Sequence, residues 1–165
     1  MTRATNTSVP NFIDMNDGEL DQYQACILIK DTNMLEMEAD YSPAHRVLAT
    51  HFKDTKVLEY DDTPDPNEPH APSKKDVIAI FDFVQKNIGN NVLAICSLGH
   101  SRSGFVSLVF DYLNNNLDDW ACYDDSPYNL VNLNKEASPN QLQIKIALEL
   151  GLFDPAIIDN LPVIS

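Results

Sequence analysis

Cys96 and Arg102 stand six positions apart in the run Cys96-Ser97-Leu98-Gly99-His100-Ser101-Arg102-Ser103. Asn91-Val92-Leu93-Ala94-Ile95 before it has the character of a buried strand, and Ser103 to Leu113 behind it that of a buried helix. The run therefore lies on a strand-to-helix turn. Backbone N–H groups at the start of a helix have no partner within it, and with the helix dipole they form an anion site. Successive N–H groups in a tight loop converge into a concave nest that suits phosphate oxygens. Gly99 admits backbone angles that a side chain would forbid. Arg102 brings a planar fork able to hold two oxygens at once. The same field favours thiolate over thiol at Cys96. A thiolate beneath a cradled phosphate is placed for in-line attack on phosphorus.

This run resembles the signature loop of the cysteine-dependent protein tyrosine phosphatases, His-Cys-x5-Arg-Ser/Thr. Its Gly-x-Ser-Arg-Ser ending is similar to the dual-specificity branch of that superfamily. The resemblance implies Cys96 as nucleophile and Arg102 as phosphate clamp. It implies the amides of Ser97, Leu98, Gly99, His100, Ser101 and Arg102 as the cradle. It further implies that the Ser103 hydroxyl assists departure of the Cys96 thiolate in a second step. Ile95 stands where the family usually carries a histidine that orders the loop and favours the thiolate. Tyr60-Asp61-Asp62-Thr63, the helix from Ser73 and Ser138-Pro139-Asn140 look like further blocks of small dual-specificity-like phosphatases. The resemblance spans roughly residues 24 to 151.

A departing alkoxide or phenoxide needs a proton, which is a general acid's task. Asp61, Asp62, Asp65 and Glu68 lie on the loop after a predicted parallel strand, and so open on the same sheet edge as Cys96. The family carries its acid in a comparable strand-end loop, and Asp62-Thr63 is the best match. The four histidines form no metal set: His45 and His51 lie about two turns apart on one predicted helix without a Cys or Glu in register. His100 either shapes the pocket rim or packs.

The elements that must position these groups follow from periodicity. Residues 25–29 and 56–60 read as strands, with a helix between them opened by Ser42-Pro43 and carrying Val47, Leu48 and Phe52. Ser73 and Asp76 form a capping box, and Val77, Ile80, Phe81, Val84 and Ile88 recur at helical spacing up to Gly89. Leu117 to Tyr123 reads as a short helix. Ser138-Pro139 opens a last long helix that Gly151 ends, and one more turn falls around Ala156 to Leu161. Alternating strands and helices predict an α/β fold: a central, mainly parallel sheet with helices on both faces, phosphatase-like, with the signature loop between a strand and a buried helix. Residues 1–22, polar and acidic, read as a loosely ordered N-terminal arm, and 23–165 as one catalytic domain.

The 165 residues suit one domain, and 44% hydrophobic residues are ordinary for a globular chain. The formal net charge of −14 argues against nucleic acid and anionic membrane as partners, both of which need a basic surface. No apolar run approaches membrane-spanning length. The first residues lack the basic start and apolar stretch of a secretory signal, and three cysteines without framework spacing suit a reducing compartment. The expectation is a cytoplasmic, cofactor-free hydrolase of a phosphorylated substrate, a phosphoprotein first and a small ester second. Its oligomeric state is not legible. The competing reading is a catalytically weak pseudophosphatase that binds phosphate, for which Ile95 speaks. A sulfurtransferase comes third, because Arg102-Ser103 suits phosphate better than sulfane transfer.

Overall fold

The structure is a computed structural model that describes residues 2–32, 34–124, 126 and 128–164, with backbone alone over 34–40. Four parallel strands make the central sheet: β1 (Ala4–Ser8), β2 (Ala25–Lys30), β3 (Asp54–Glu59) and β4 (Val92–Cys96), in spatial order β1-β4-β2-β3. Helices cover both faces, as the alternating pattern implies. One layer holds α1 (Val9–Asp14), the four-residue α2 (Asp17–Leu20) and α3 (Met34–His51). The other holds α4 (Lys74–Lys86), α5 (Arg102–Leu113) and α6 (Gln141–Glu149).

The pleat of β4 explains how one short strand serves both layers. Val92, Ala94 and Cys96 belong to the core beneath α4, α5 and α6, while Leu93 and Ile95 belong to the core with Val9, Phe12, Tyr41 and Leu48. All five β4 residues are buried, which is why they read as a continuous apolar run. The parallel strands bring the C-terminal ends of β1, β2 and β4 to one edge, where Ser8 pairs with Cys96 and Leu28 with Ile95.

Four elements differ from the sequence reading. The N-terminal segment is not a loose arm: Ala4–Ser8 pairs in register with residues 92–96 as an edge strand, and Phe12 is fully buried. Thr5, Asn6, Thr7 and Ser8 are half-buried, so no alternation of apolar residues marks them. The α3 helix starts before Ser42, and Pro43 lies inside it. A proline there removes one backbone donor and is tolerated at that cost. Residues 121–123 are a strand, not a helix: β5 (Ala121–Tyr123) lies between β6 (Leu130–Val131) and β7 (Val163–Ile164) in a small second sheet. Its period of two is carried by buried Trp120 and Cys122, too few residues to declare itself in sequence. The last long helix begins after Asn140, whose side chain accepts from the Gln143 N–H, rather than at Ser138.

Most of the other expected punctuation is present, but α4 ends at Lys86 with Asn87 as its C-cap rather than at Gly89. Ser73 and Asp76 form a reciprocal capping box at the start of α4, Gly151 follows α6 with φ of 72°, and α7 (Pro155–Asp159) supplies the extra turn. Among the described residues no helix is long and apolar enough to cross a membrane.

Candidate active site

Cys96 ends β4 and Arg102 begins α5, so residues 97–101 form the turn between them. The Cys96 side chain is buried and faces the start of α5. Its Sγ accepts from the Gly99 N–H at 3.3 Å and the Ser103 N–H at 3.4 Å, and lies 3.1 Å from Ser103 Oγ. As a thiol, Cys96 donates to that hydroxyl. As a thiolate it would receive all three donors. Ser103 is thus placed to stabilise negative charge on the Cys96 sulfur.

Gly99 has φ of 81°, and a Cβ there would sit 2.6 Å from Ser8 N and Thr7 C. Both the backbone angle and the packing against the end of β1 require glycine. Leu98 is 75% exposed, so it offers the cradle only its backbone. The His100 side chain is engaged elsewhere, with Nδ1 donating to the Glu136 carbonyl at 2.8 Å, so His100 offers the cradle only its backbone N–H. Ser101 is the N-cap of α5 but forms no side-chain cap. Its hydroxyl donates instead to Asp62 Oδ1 at 2.6 Å. The first N–H groups of α5 are therefore not blocked by their own N-cap side chain.

Arg102 is only 3% exposed. Its Nη1 donates to the Tyr60 carbonyl at 2.9 Å and pairs with Asp31 Oδ1 at 2.6 Å, while Nη2 donates to Ser97 Oγ at 2.8 Å. Nη2 keeps a second N–H, and Nε is buried with no hydrogen-bond partner among the described residues. An unpaired buried donor costs about 1–3 kcal/mol, and an oxyanion in the turn would satisfy it. Burial disfavours the charged guanidinium, but Asp31, Cys96 and Asp62 together outweigh it, and Arg102 is held more firmly protonated than usual.

Asp31 follows β2 at the same sheet edge, and nothing in the sequence reading singled it out. Tyr41 of α3 donates to its Oδ2 at 3.1 Å and receives its backbone N–H at 3.3 Å. Burial first, with the charge of Asp31, pushes the Tyr41 hydroxyl up to about 12, so it stays a donor across the physiological range. The available signal was positional: a carboxylate at the carboxyl end of a parallel strand faces the ligand crevice.

The two neighbouring acids of the β3–α4 loop part company. Asp61 turns to the β2–α3 connection and accepts from Thr32 N at 2.9 Å and Thr32 Oγ1 at 2.8 Å. Burial would raise its carboxyl, but the Thr32 hydrogen bonds prevail and hold it below the usual range. Asp62 turns to the signature loop, where Oδ1 accepts from Ser101 Oγ and, at 2.9 Å, from Asn140 Nδ2. Oδ2 accepts no hydrogen bond among the described residues. Asn140 also donates to the Thr63 carbonyl at 3.0 Å and so fixes the loop to the start of α6. Asp65 accepts from Asn67 N in a local turn, and Asp65 and Glu68 are exposed there. The structure thus brings Cys96, Arg102, Ser103 and Asp62 to one turn, and leaves Asp61, Asp65 and Glu68 off it.

Ile95 is fully buried in the layer opposite Cys96, among Phe12, Leu28 and Leu93. It contributes packing and no polar group. No family model matches the chain, and no curated protein matches it in sequence. Among solved structures it is similar to Tk-PTP in its active form, with 14% identity over 93% of this chain and 95% of that chain at a TM-score of 0.47. It is also similar to a glycine-to-alanine mutant form of Tk-PTP, with 15% identity over 90% and 89% of the two chains at a TM-score of 0.43.

Proposed function

We propose that the protein is a cysteine-dependent phosphatase that hydrolyses a phosphate monoester through a phosphocysteine intermediate. One observation carries this: a buried sulfur receiving backbone donors at a helix N-terminus, with a buried arginine and an aspartate tied to the same turn. In the first step the Cys96 thiolate attacks phosphorus. The S–P bond forms as the ester P–O bond breaks, and the leaving oxygen takes the proton from Asp62. The turn amides and the free N–H groups of Arg102 hold the three equatorial oxygens. In the second step water attacks phosphorus and gives its proton to the Asp62 carboxylate. The S–P bond then breaks, and Ser103 donates its hydroxyl hydrogen bond to the departing thiolate.

Phosphoproteins are the preferred substrate class, small phosphate esters the second. The turn itself carries no lysine to read additional phosphates. The dual-specificity-like character of the loop and a cytoplasmic setting, which would keep Cys96 reduced, belong to the same proposal. A second reading is a pseudophosphatase that binds phosphate without turnover. The apolar Ile95 and the engagement of Nη1 by Asp31 favour it. Turnover of a chromogenic aryl phosphate between pH 5 and 7 separates the two. Vanadate-sensitive hydrolysis that is unaffected by chelator and lost in Cys96→Ser supports the phosphatase. Phosphate binding without turnover supports the second reading.

A further inference from the structure

The cradle works only if its N–H groups point inward, and each inward N–H belongs to a peptide whose carbonyl must point outward. In a trans peptide the carbonyl and the following N–H face opposite ways, and no peptide bond described here is cis. Three successive carbonyls of the turn are held, the first two by groups from outside it and the third by the first turn of α5. The Gly99 carbonyl accepts from Asn6 Nδ2 at 2.7 Å, the His100 carbonyl from Ser138 N at 2.9 Å, and the Ser101 carbonyl from Phe105 N at 2.9 Å. The N–H groups of His100, Ser101 and Arg102 are thereby turned toward the interior of the turn. Gly99 N and Ser103 N, on either side of this run, already point at Cys96 Sγ.

Two of these three anchors are backbone groups. The third is a side chain from the edge strand, 93 residues away in sequence. Asn6 is itself fixed at every polar atom: Nδ2 donates also to the Lys135 carbonyl at 3.1 Å, and Oδ1 accepts from the fully buried Ser107 of α5 at 3.0 Å. The two carbonyls accept only, so the amide has one workable orientation.

We propose that Asn6 is a positioning residue of the phosphate site: by gripping the Gly99 carbonyl it turns the Gly99–His100 peptide and aims the His100 N–H at the substrate's phosphoryl oxygens. This rests on the phosphatase reading. It assigns β1 a role in binding beyond covering the sheet edge. Without the grip the peptide is free to rotate, and its carbonyl oxygen can face the anion instead of its N–H.

The test is calorimetric binding of inorganic phosphate to the full-length protein, beside thermal melting. Asn6→Ala removes the grip, and Asn6→Asp sets a carboxylate against two carbonyl oxygens. Tyr23→Phe is the control, because Tyr23 donates to Thr5 Oγ1 on the other face of the same strand at 3.0 Å and makes no hydrogen bond to the turn among the described residues. The expected result is phosphate affinity about tenfold lower in Asn6→Ala, the loss of one hydrogen bond to an anion. Asn6→Asp should lose more, and Tyr23→Phe should bind like wild type even where it melts lower. If Asn6→Asp does not fold, Asn6→Ala carries the comparison. Wild-type affinity in folded Asn6→Ala overturns the proposal and leaves the phosphatase reading standing. A wild-type protein that neither binds phosphate nor hydrolyses aryl phosphate removes the function, and this role with it.

Discussion

Replacing Asp31 by asparagine keeps the shape beside Arg102 and takes away its counter-charge. Arg102 is 3% exposed and Asp31 21% exposed, so the pair is largely, though not fully, withdrawn from water. Removing one partner of a fully buried pair costs about 3–5 kcal/mol, because the remaining charge is left uncompensated. Here the Tyr60 carbonyl and Ser97 hydroxyl still hold the guanidinium, and water reaches Asp31. The loss should therefore fall to about 2–3 kcal/mol, or roughly 5–10 °C in melting temperature for a chain of this size. Phosphate adds a second, diagnostic arm. In Asp31→Asn a bound phosphate becomes the main counter-charge of Arg102, so saturating phosphate should raise the melting temperature more than in wild type. A ligand at a hundred times its Kd stabilises by about 2.7 kcal/mol, enough to recover most of the deficit. Differential scanning calorimetry with and without phosphate reads both effects. A mutant that melts within about 1 °C of wild type would show that Asp31 does not hold Arg102. Equal phosphate shifts in the two proteins would show that Arg102 does not meet the anion.

Asp62→Asn should slow phenyl phosphate by about a hundredfold or more and a nitrophenyl ester much less, because only the basic leaving group needs the proton. The same pattern in Asp65→Asn instead would move the general acid. Ile95→His should destabilise the fold by about 3 kcal/mol, since it places a polar ring in an apolar layer, and chemical denaturation measures this. A mutant as stable as wild type would mean the ring finds a partner the apolar cluster does not offer. The protein should lose stability in acid. Asp61, through Thr32, and Asp54, through Asn87 and Lys86, are both held below the usual carboxylate range against the effect of burial. Their contribution is complete above the ordinary value of about 3.9 and fades as pH falls through their lower folded values. Thr32→Val should flatten that dependence between pH 2 and 5, and an unchanged slope would assign it elsewhere.

The turn from Cys96 to Ser103 was legible because strand, glycine and helix are local features, each readable within a few residues. The α4 capping box and the parallel sheet were legible for the same reason. Asp62 was distinguished from Asp61 by the match of Asp62-Thr63 to the family's strand-end loop, and the structure turns the two acids to different partners, Thr32 and Ser101. The supports of the turn were not legible. Asn6 lies in a polar edge strand whose partner is 88 residues on, and only the register with β4 places it beside Gly99 and Ser107. Asp31 sits between a strand and a helix as an ordinary loop acid until the sheet order puts β2 next to β4. Trp120 reads as a packing aromatic in any element, and its bond from Nε1 to the buried carboxylate of Asp111 belongs to tertiary structure. Long-range polar contacts leave no periodic trace in a sequence.

The most direct test of the central claim is chemical trapping of the intermediate. Wild-type protein mixed with phosphorus-labelled aryl phosphate and quenched in acid should retain label, and peptide mapping should place it on Cys96. Cys96→Ser should retain none on that residue. Label that appears on another side chain, or turnover that persists in pure Cys96→Ser, would contradict the mechanism.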